Sequence, residues 1–135
     1  MPHTITHFDI TEHHIHVELF VTDSRGGRHS FDGVLDTGAP RTEVSDKFLA
    51  LAGLIKEPAK RILIKPGLQT QKYGKLVMRK IEICGHTIEN FEVLASRFDG
   101  AWGIDALVGL DFFRLFRVTV DYGKAEIVTT PLAVI

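Results

Sequence analysis

From His14 to Thr22 the residues alternate, with Ile15, Val17, Leu19 and Val21 on one face and His14, His16, Glu18, Phe20 and Thr22 on the other. A period of two belongs to a strand with one buried face and does not suit a helix. Asp23-Ser24-Arg25-Gly26-Gly27 follows as a turn cluster, so Arg28 to Leu35 is expected to return antiparallel as a hairpin. Further strands are expected at Thr42 to Ser45, Arg61 to Lys65, Val118 to Tyr122 and Ala125 to Thr129. Lys75 to Cys84 and Thr87 to Ala95 should form another hairpin around Gly85-His86. Helix is confined to Lys47 to Ala52, with Ser45 or Asp46 as cap and Gly53 as stop, and to a short run after Gly109. Short, closely spaced strands joined by Gly and Asp turns predict a mainly β, small closed or sandwich-like domain with one or two short helices.

The 135 residues fit one domain, 1–135, and 44% hydrophobic content supports a core without staples or metals. Charge names no partner, because 16 Lys+Arg against 17 Asp+Glu leaves −1 with no block of one sign. Nucleic acid and anionic membrane are therefore not expected as partners. No run approaches the length of a membrane span, and Met1-Pro2-His3-Thr4 does not begin a signal peptide, so a soluble chain is expected. A single cysteine, Cys84, excludes an intrachain disulfide, reads as a small buried strand residue, and fits a reducing, cytoplasmic compartment. His3, His7, His13, His14 and His16 match no zinc spacing and are read as solvated, so no metal or other cofactor is expected. Trp102 is read as a partly buried loop anchor or a flank of a cleft.

Chemistry concentrates where the apolar Val34-Leu35 runs into Asp36-Thr37-Gly38-Ala39-Pro40, which places one carboxylate at a loop tip. Average residue usage yields Asp-Thr-Gly by chance in roughly a few per cent of chains this long, so the tripeptide alone decides little. Its context decides more. Some seventy residues on comes Ala106-Leu107-Val108-Gly109-Leu110-Asp111-Phe112-Phe113, then Phe116-Arg117-Val118-Thr119-Val120-Asp121-Tyr122. With these two elements the sequence resembles the retroviral-type, or retropepsin-like, single-domain aspartic proteases. The resemblance spans residues from about 14 to 129.

The resemblance implies an acid-protease barrel acting as a symmetric homodimer, each chain supplying half of the enzyme. It makes Asp36 the catalytic carboxylate and Thr37 the hydroxyl that bonds across to the partner chain's turn. Gly38 would admit close backbone approach, Ala39 would line the cleft, and Leu107, Val108 and Gly109 would pass beside the catalytic turn. A flap hairpin is implied between Ile62 and Val77, its tip at Pro66-Gly67-Leu68-Gln69, although Pro66, Lys65, Gln69 and Gln71 depart from the small, glycine-rich tip usual in the family. Pro40 and Arg41 depart too, and Arg41 is a candidate partner for Asp111.

Aspartic protease chemistry needs two carboxylates about 3 Å apart sharing a proton, because like charges that close cannot both ionise. One takes a proton from water, which attacks the peptide carbonyl, and the other supplies a proton. Only one Asp-Thr-Gly is present, so the second carboxylate is expected from Asp36 of an identical subunit. The apolar Leu132-Ala133-Val134-Ile135 and a strand around Thr4 to Phe8 are candidates for the dimer's base. The pair titrates as a unit, so activity should be bell-shaped in pH with an acidic to mildly acidic optimum. The expected function is an aspartic endopeptidase acting on polypeptides. The alternative is a catalytically silent peptide-binding or dimerisation module of the same fold.

Overall fold

The computed structural model describes residues 3–132. In chain order its elements are β1 (Thr4–His7), β2 (His16–Thr22), β3 (Arg28–Leu35), β4 (Glu43–Ser45), α1 (Asp46–Leu51) and β5 (Thr70–Ile83). They continue with β6 (His86–Phe98), β7 (Ala106–Val108), α2 (Leu110–Phe113), β8 (Phe116–Asp121) and β9 (Glu126–Pro131). Six strands close into a barrel in the order β2-β3-β7-β4-β6-β5, and β1-β9-β8 form a separate three-stranded sheet.

The barrel begins with the expected hairpin, whose register sets Leu19 opposite Phe31. Alternation buries Val17, Leu19 and Val21 at 3, 0 and 1% exposure, as the period of two requires. Burying a side chain such as Leu19 contributes roughly 2 kcal/mol. The β5–β6 hairpin turns through Cys84 and Gly85 at φ 51° and 78°, the left-handed pair that matches strand twist in a tight hairpin. It runs further than the sequence pattern suggested, to Thr70 at one end and Phe98 at the other.

Two apolar clusters divide the interior. The larger fills the barrel with Leu19, Val44, Ile81, Val93, Val108 and Phe112, and Phe31 stacks on Phe48 at 4.2 Å. The smaller joins Val34, Phe98, Ile104 and Leu107 with the half-buried Trp102. Leu107 and Val108 are neighbours on one strand and therefore serve opposite faces. Trp102 stacks on Phe98 at 5.9 Å, and Cys84 is buried.

Two sequence expectations require correction, and a third falls largely outside the described residues. Arg61 to Lys65 forms no strand, because no strand among the described residues pairs with it, and the chain between α1 and β5 runs as turns and irregular backbone. Helix α1 forms, but neither Ser45 nor Asp46 caps it with its side chain. The carboxylate of Asp46 is engaged elsewhere, by Arg97 and Tyr73. Of the expected tail, Ala133 to Ile135 lie outside the described residues, while exposed Leu132 donates its N–H to the carbonyl of Leu115 at 3.1 Å.

The terminal sheet packs Ile127, Phe116 and Val118 against the core, and a polar cluster ties it to the β5–β6 turn. The Thr4 hydroxyl donates to the carbonyl of Cys84, and the hydroxyls of Thr4 and Thr129 lie 3.0 and 2.9 Å from His86 Nε2. Burial chiefly depresses the His86 pKa below its ordinary 6.5, partly offset by a contact with Thr129. Unfolding exposes the ring to water, where it takes up a proton more readily, so stability is lost as pH falls below about 6.5. The melting temperature of the parent should therefore drop more steeply than that of His86→Gln between pH 7 and 5, with about 2 °C separating the two slopes. Parallel melting curves across that range would show that His86 does not carry this proton uptake.

Candidate active site

Strand β3 runs parallel to β7, with Leu35 beside Val108. Where β3 ends, Asp36 donates its N–H to the carbonyl of Val108 at 2.9 Å, so the ladder hands the chain directly into the turn. The Asp36 carbonyl accepts from Ala39 N at 3.1 Å, and its Oδ1 accepts from Gly38 N at 2.9 Å. The side chain thus orders its own loop, as Asp commonly does in turns. Among the described residues nothing engages its other carboxylate oxygen. Asp36 is half-buried, Thr37 and Gly38 are exposed at the tip, and Ala39 is buried behind them. The Thr37 hydroxyl makes no hydrogen bond among the described residues.

Beneath this turn passes the segment from Leu107 to Asp111. The Leu110 N–H reaches the carbonyl of Ala39 at 2.8 Å. A Cβ on Gly109 would lie 2.7 Å from the Ala39 oxygen, 2.7 Å from the Arg41 carbonyl carbon and 2.8 Å from the Arg41 oxygen. Only a residue without a side chain allows the two backbones this approach. Gly38 is less constrained, since an added Cβ would meet Asp36 Oδ1 at 3.2 Å.

Thr42, fully buried, locks the two segments together. Its hydroxyl accepts from Gly109 N at 3.1 Å and donates to Asp111 Oδ1 at 2.7 Å, while its N–H donates to Asp111 Oδ2 at 2.9 Å. Arg41 lies at the edge of this network. Its Nε is 3.7 Å from Asp111 Oδ2, whereas its Nη2 donates to Glu92 Oε1 at 2.8 Å. The expected Arg41–Asp111 pair is present as the longer of two contacts, and Glu92 is the nearer partner. Arg41 accordingly leads the causes that lower the Glu92 carboxyl pKa.

The sequence-derived site residues fall into two groups. Asp36, Thr37, Gly38, Ala39, Leu107, Val108 and Gly109 come together as one two-segment scaffold. Pro66, Gly67, Leu68 and Gln69 do not sit at the tip of a hairpin. The turn itself forms, with Leu68 N bonded to the carbonyl of Lys65 at 3.1 Å and Gly67 at φ 86°. The residues before it remain irregular. Sequence reasoning missed Thr42 as the lock, and the partly buried cluster of Tyr73 and Arg97 around the buried Asp46. Hydroxyl and charged residues inside otherwise apolar stretches were the available signal.

Among the described residues no group of three or more His, Cys, Asp or Glu side chains is placed to hold a metal ion. His16 pairs instead with Asp32 at 2.9 Å. No helix among them is long and apolar enough to cross a membrane.

No protein-family model matches the chain and no curated protein matches it by sequence. Solved structures do match. A retropepsin-like aspartic protease from Rickettsia conorii superposes with a TM-score of 0.65 at 17% identity, covering 95% of this chain and 89% of its own. The retroviral protease-like domain of Ddi1 from Leishmania major superposes with a TM-score of 0.56 at 14% identity, covering 87% of this chain and 94% of its own. The closed barrel, the turn after β3 and the segment leading into α2 together give this chain the fold of the retropepsin-like aspartic proteases.

Proposed function

We propose that this single-domain chain is an aspartic endopeptidase that works as a homodimer, with Asp36 of each copy forming one dyad. The observation that carries the reading is the mounting of Asp36. Its carboxylate stands at the tip of a turn whose backbone is tied to Val108, Gly38 and Ala39, with one oxygen left for chemistry. A general acid or base works only when held in a fixed position, and the close packing of Gly109 supplies that rigidity. On a two-fold axis, Asp36 meets its own copy. One carboxylate of the pair draws a proton from water, the water attacks the peptide carbonyl, and the protonated carboxyl stabilises the new oxygen and protonates the departing nitrogen. On this reading the Thr37 hydroxyl, exposed in the single chain, bonds across to the partner's turn.

Incubation with an unfolded polypeptide at acidic pH tests this reading, and discrete fragments are the expected result. The second reading, a silent peptide-binding or dimerisation module, draws support from the missing strand before Pro66, because the usual flap hairpin does not form. It predicts binding of the polypeptide without fragments.

A further inference from the structure

The chain between α1 and β5 crosses the barrel surface as a strap that carries the Pro66-Gly67 turn. Two of its apolar side chains, Leu63 and Leu68, are 85 and 53% exposed. Leu54 and Ile55 pack its start against the core, the Gln69 carbonyl accepts from Asp99 N at 2.8 Å at its end, and one guanidinium holds its middle. Arg97 donates Nη2 to the carbonyl of Ala59 and Nη1 to that of Ile62 at 3.4 Å, while its Nε donates to Asp46 Oδ2 at 2.8 Å. Tyr73 adds a second tie. It sits at the register shift between Lys72 and Gly74, where a bulge redirects a side chain. Its hydroxyl donates to Asp46 Oδ2 at 2.9 Å and accepts from Ala59 N at 3.3 Å. Burial, with a smaller contribution from Asp46, raises the tyrosine's pKa and so keeps that proton in place.

The carboxylate beneath is unevenly used. Asp46 is fully buried, its Oδ2 accepts two hydrogen bonds, and its Oδ1 accepts none. An arginine facing a buried carboxylate ordinarily makes two parallel bonds to it. Here the guanidinium spends its outer nitrogens on the strap instead, and the second carboxylate oxygen is left buried without a hydrogen-bond partner. Releasing the strap therefore costs less than the bonds at Ala59 and Ile62 suggest, because a new charge-assisted bond to Oδ1 offsets part of the loss.

We infer that Arg97 is a positioning residue that exchanges its outer nitrogens between the strap and Asp46, giving the strap a seated and a released position. The seat adjoins the candidate site. Where the strap ends, the Thr70 hydroxyl donates to Glu43 Oε1 at 2.9 Å, and Glu43 pairs across strands with Leu107. On the proposed protease reading, strap position governs how polypeptide is held, so the exchange acts on substrate binding rather than on the chemical step.

Trypsin reads strap position without relying on the chain's own activity, since Lys60 and Arg61 lie on the strap. Arg97→Lys keeps a charge beside Asp46 but lacks the planar fork that reaches Asp46 and two strap carbonyls together. It should raise the rate of nicking after Lys60 or Arg61 about tenfold, through easier local opening. Tyr73→Phe cuts the Ala59 tie, leaves the ion pair intact, and should raise nicking about threefold. If the enzyme reading holds, Arg97→Lys also raises KM several-fold with kcat nearly unchanged. Nicking at the parent rate in both variants would overturn the inference. Faster nicking from a chain that cleaves nothing would leave the strap exchange standing and count against the protease reading alone.

Discussion

Asp36→Asn is expected to melt within about 1 °C of the parent and to cleave unfolded polypeptide about 10⁴-fold more slowly. The substitution keeps the side chain's shape and an oxygen able to accept from Gly38 N, so the turn retains its internal bond. What disappears is the shared proton. In a dimer one substitution removes both carboxylates, and an amide neither takes a proton from water nor gives one to the departing nitrogen. Comparing fragment release with melting temperature for parent and variant checks the result. Undiminished cleavage by a cooperatively folded Asp36→Asn would remove this residue from the chemistry.

Gly109→Ala should lower stability by about 3 kcal/mol and cleavage by about a hundredfold. The added methyl would meet the backbone of Ala39 and Arg41 at 2.7–2.8 Å, and backbone cannot rotate away as a flexible side chain can. The turn carrying Asp36 must shift, and the bond from Gly109 N to Thr42 must stretch. Gly100→Ala is the matched control, since an added Cβ there meets nothing within 4 Å. Denaturation midpoints and cleavage rates of the two variants give the comparison. Equal behaviour would show that the loop yields and that the close approach has no functional weight.

The parts of the fold legible in sequence were those whose signal is local. Alternation around Val17, Leu19 and Val21 gave the first hairpin because burial on one face demands it. Asp36-Thr37-Gly38 and Leu107-Val108-Gly109 were legible as motifs, and the β3–β7 pairing is what brings the two side by side. Arg61 to Lys65 misled because three consecutive apolar residues favour a strand only when another strand lies alongside. The role of Asp46 was equally hidden. A carboxylate in a helix's first turn suggests a cap, but Arg97, distant in sequence, competes for it with a charge. Thr42 looked like an ordinary strand residue until the fold set Gly109 and Asp111 against its hydroxyl.

The shared dyad is tested most directly by mixing. Parent and Asp36→Asn subunits are allowed to exchange in varying ratio at constant total protein, and cleavage of one polypeptide is followed. If each active site needs Asp36 from both copies, activity follows the square of the parent fraction and falls to about one quarter in an equal mixture. A linear decline, with about half the activity remaining at that point, would mean that each chain carries its whole site and would contradict the account.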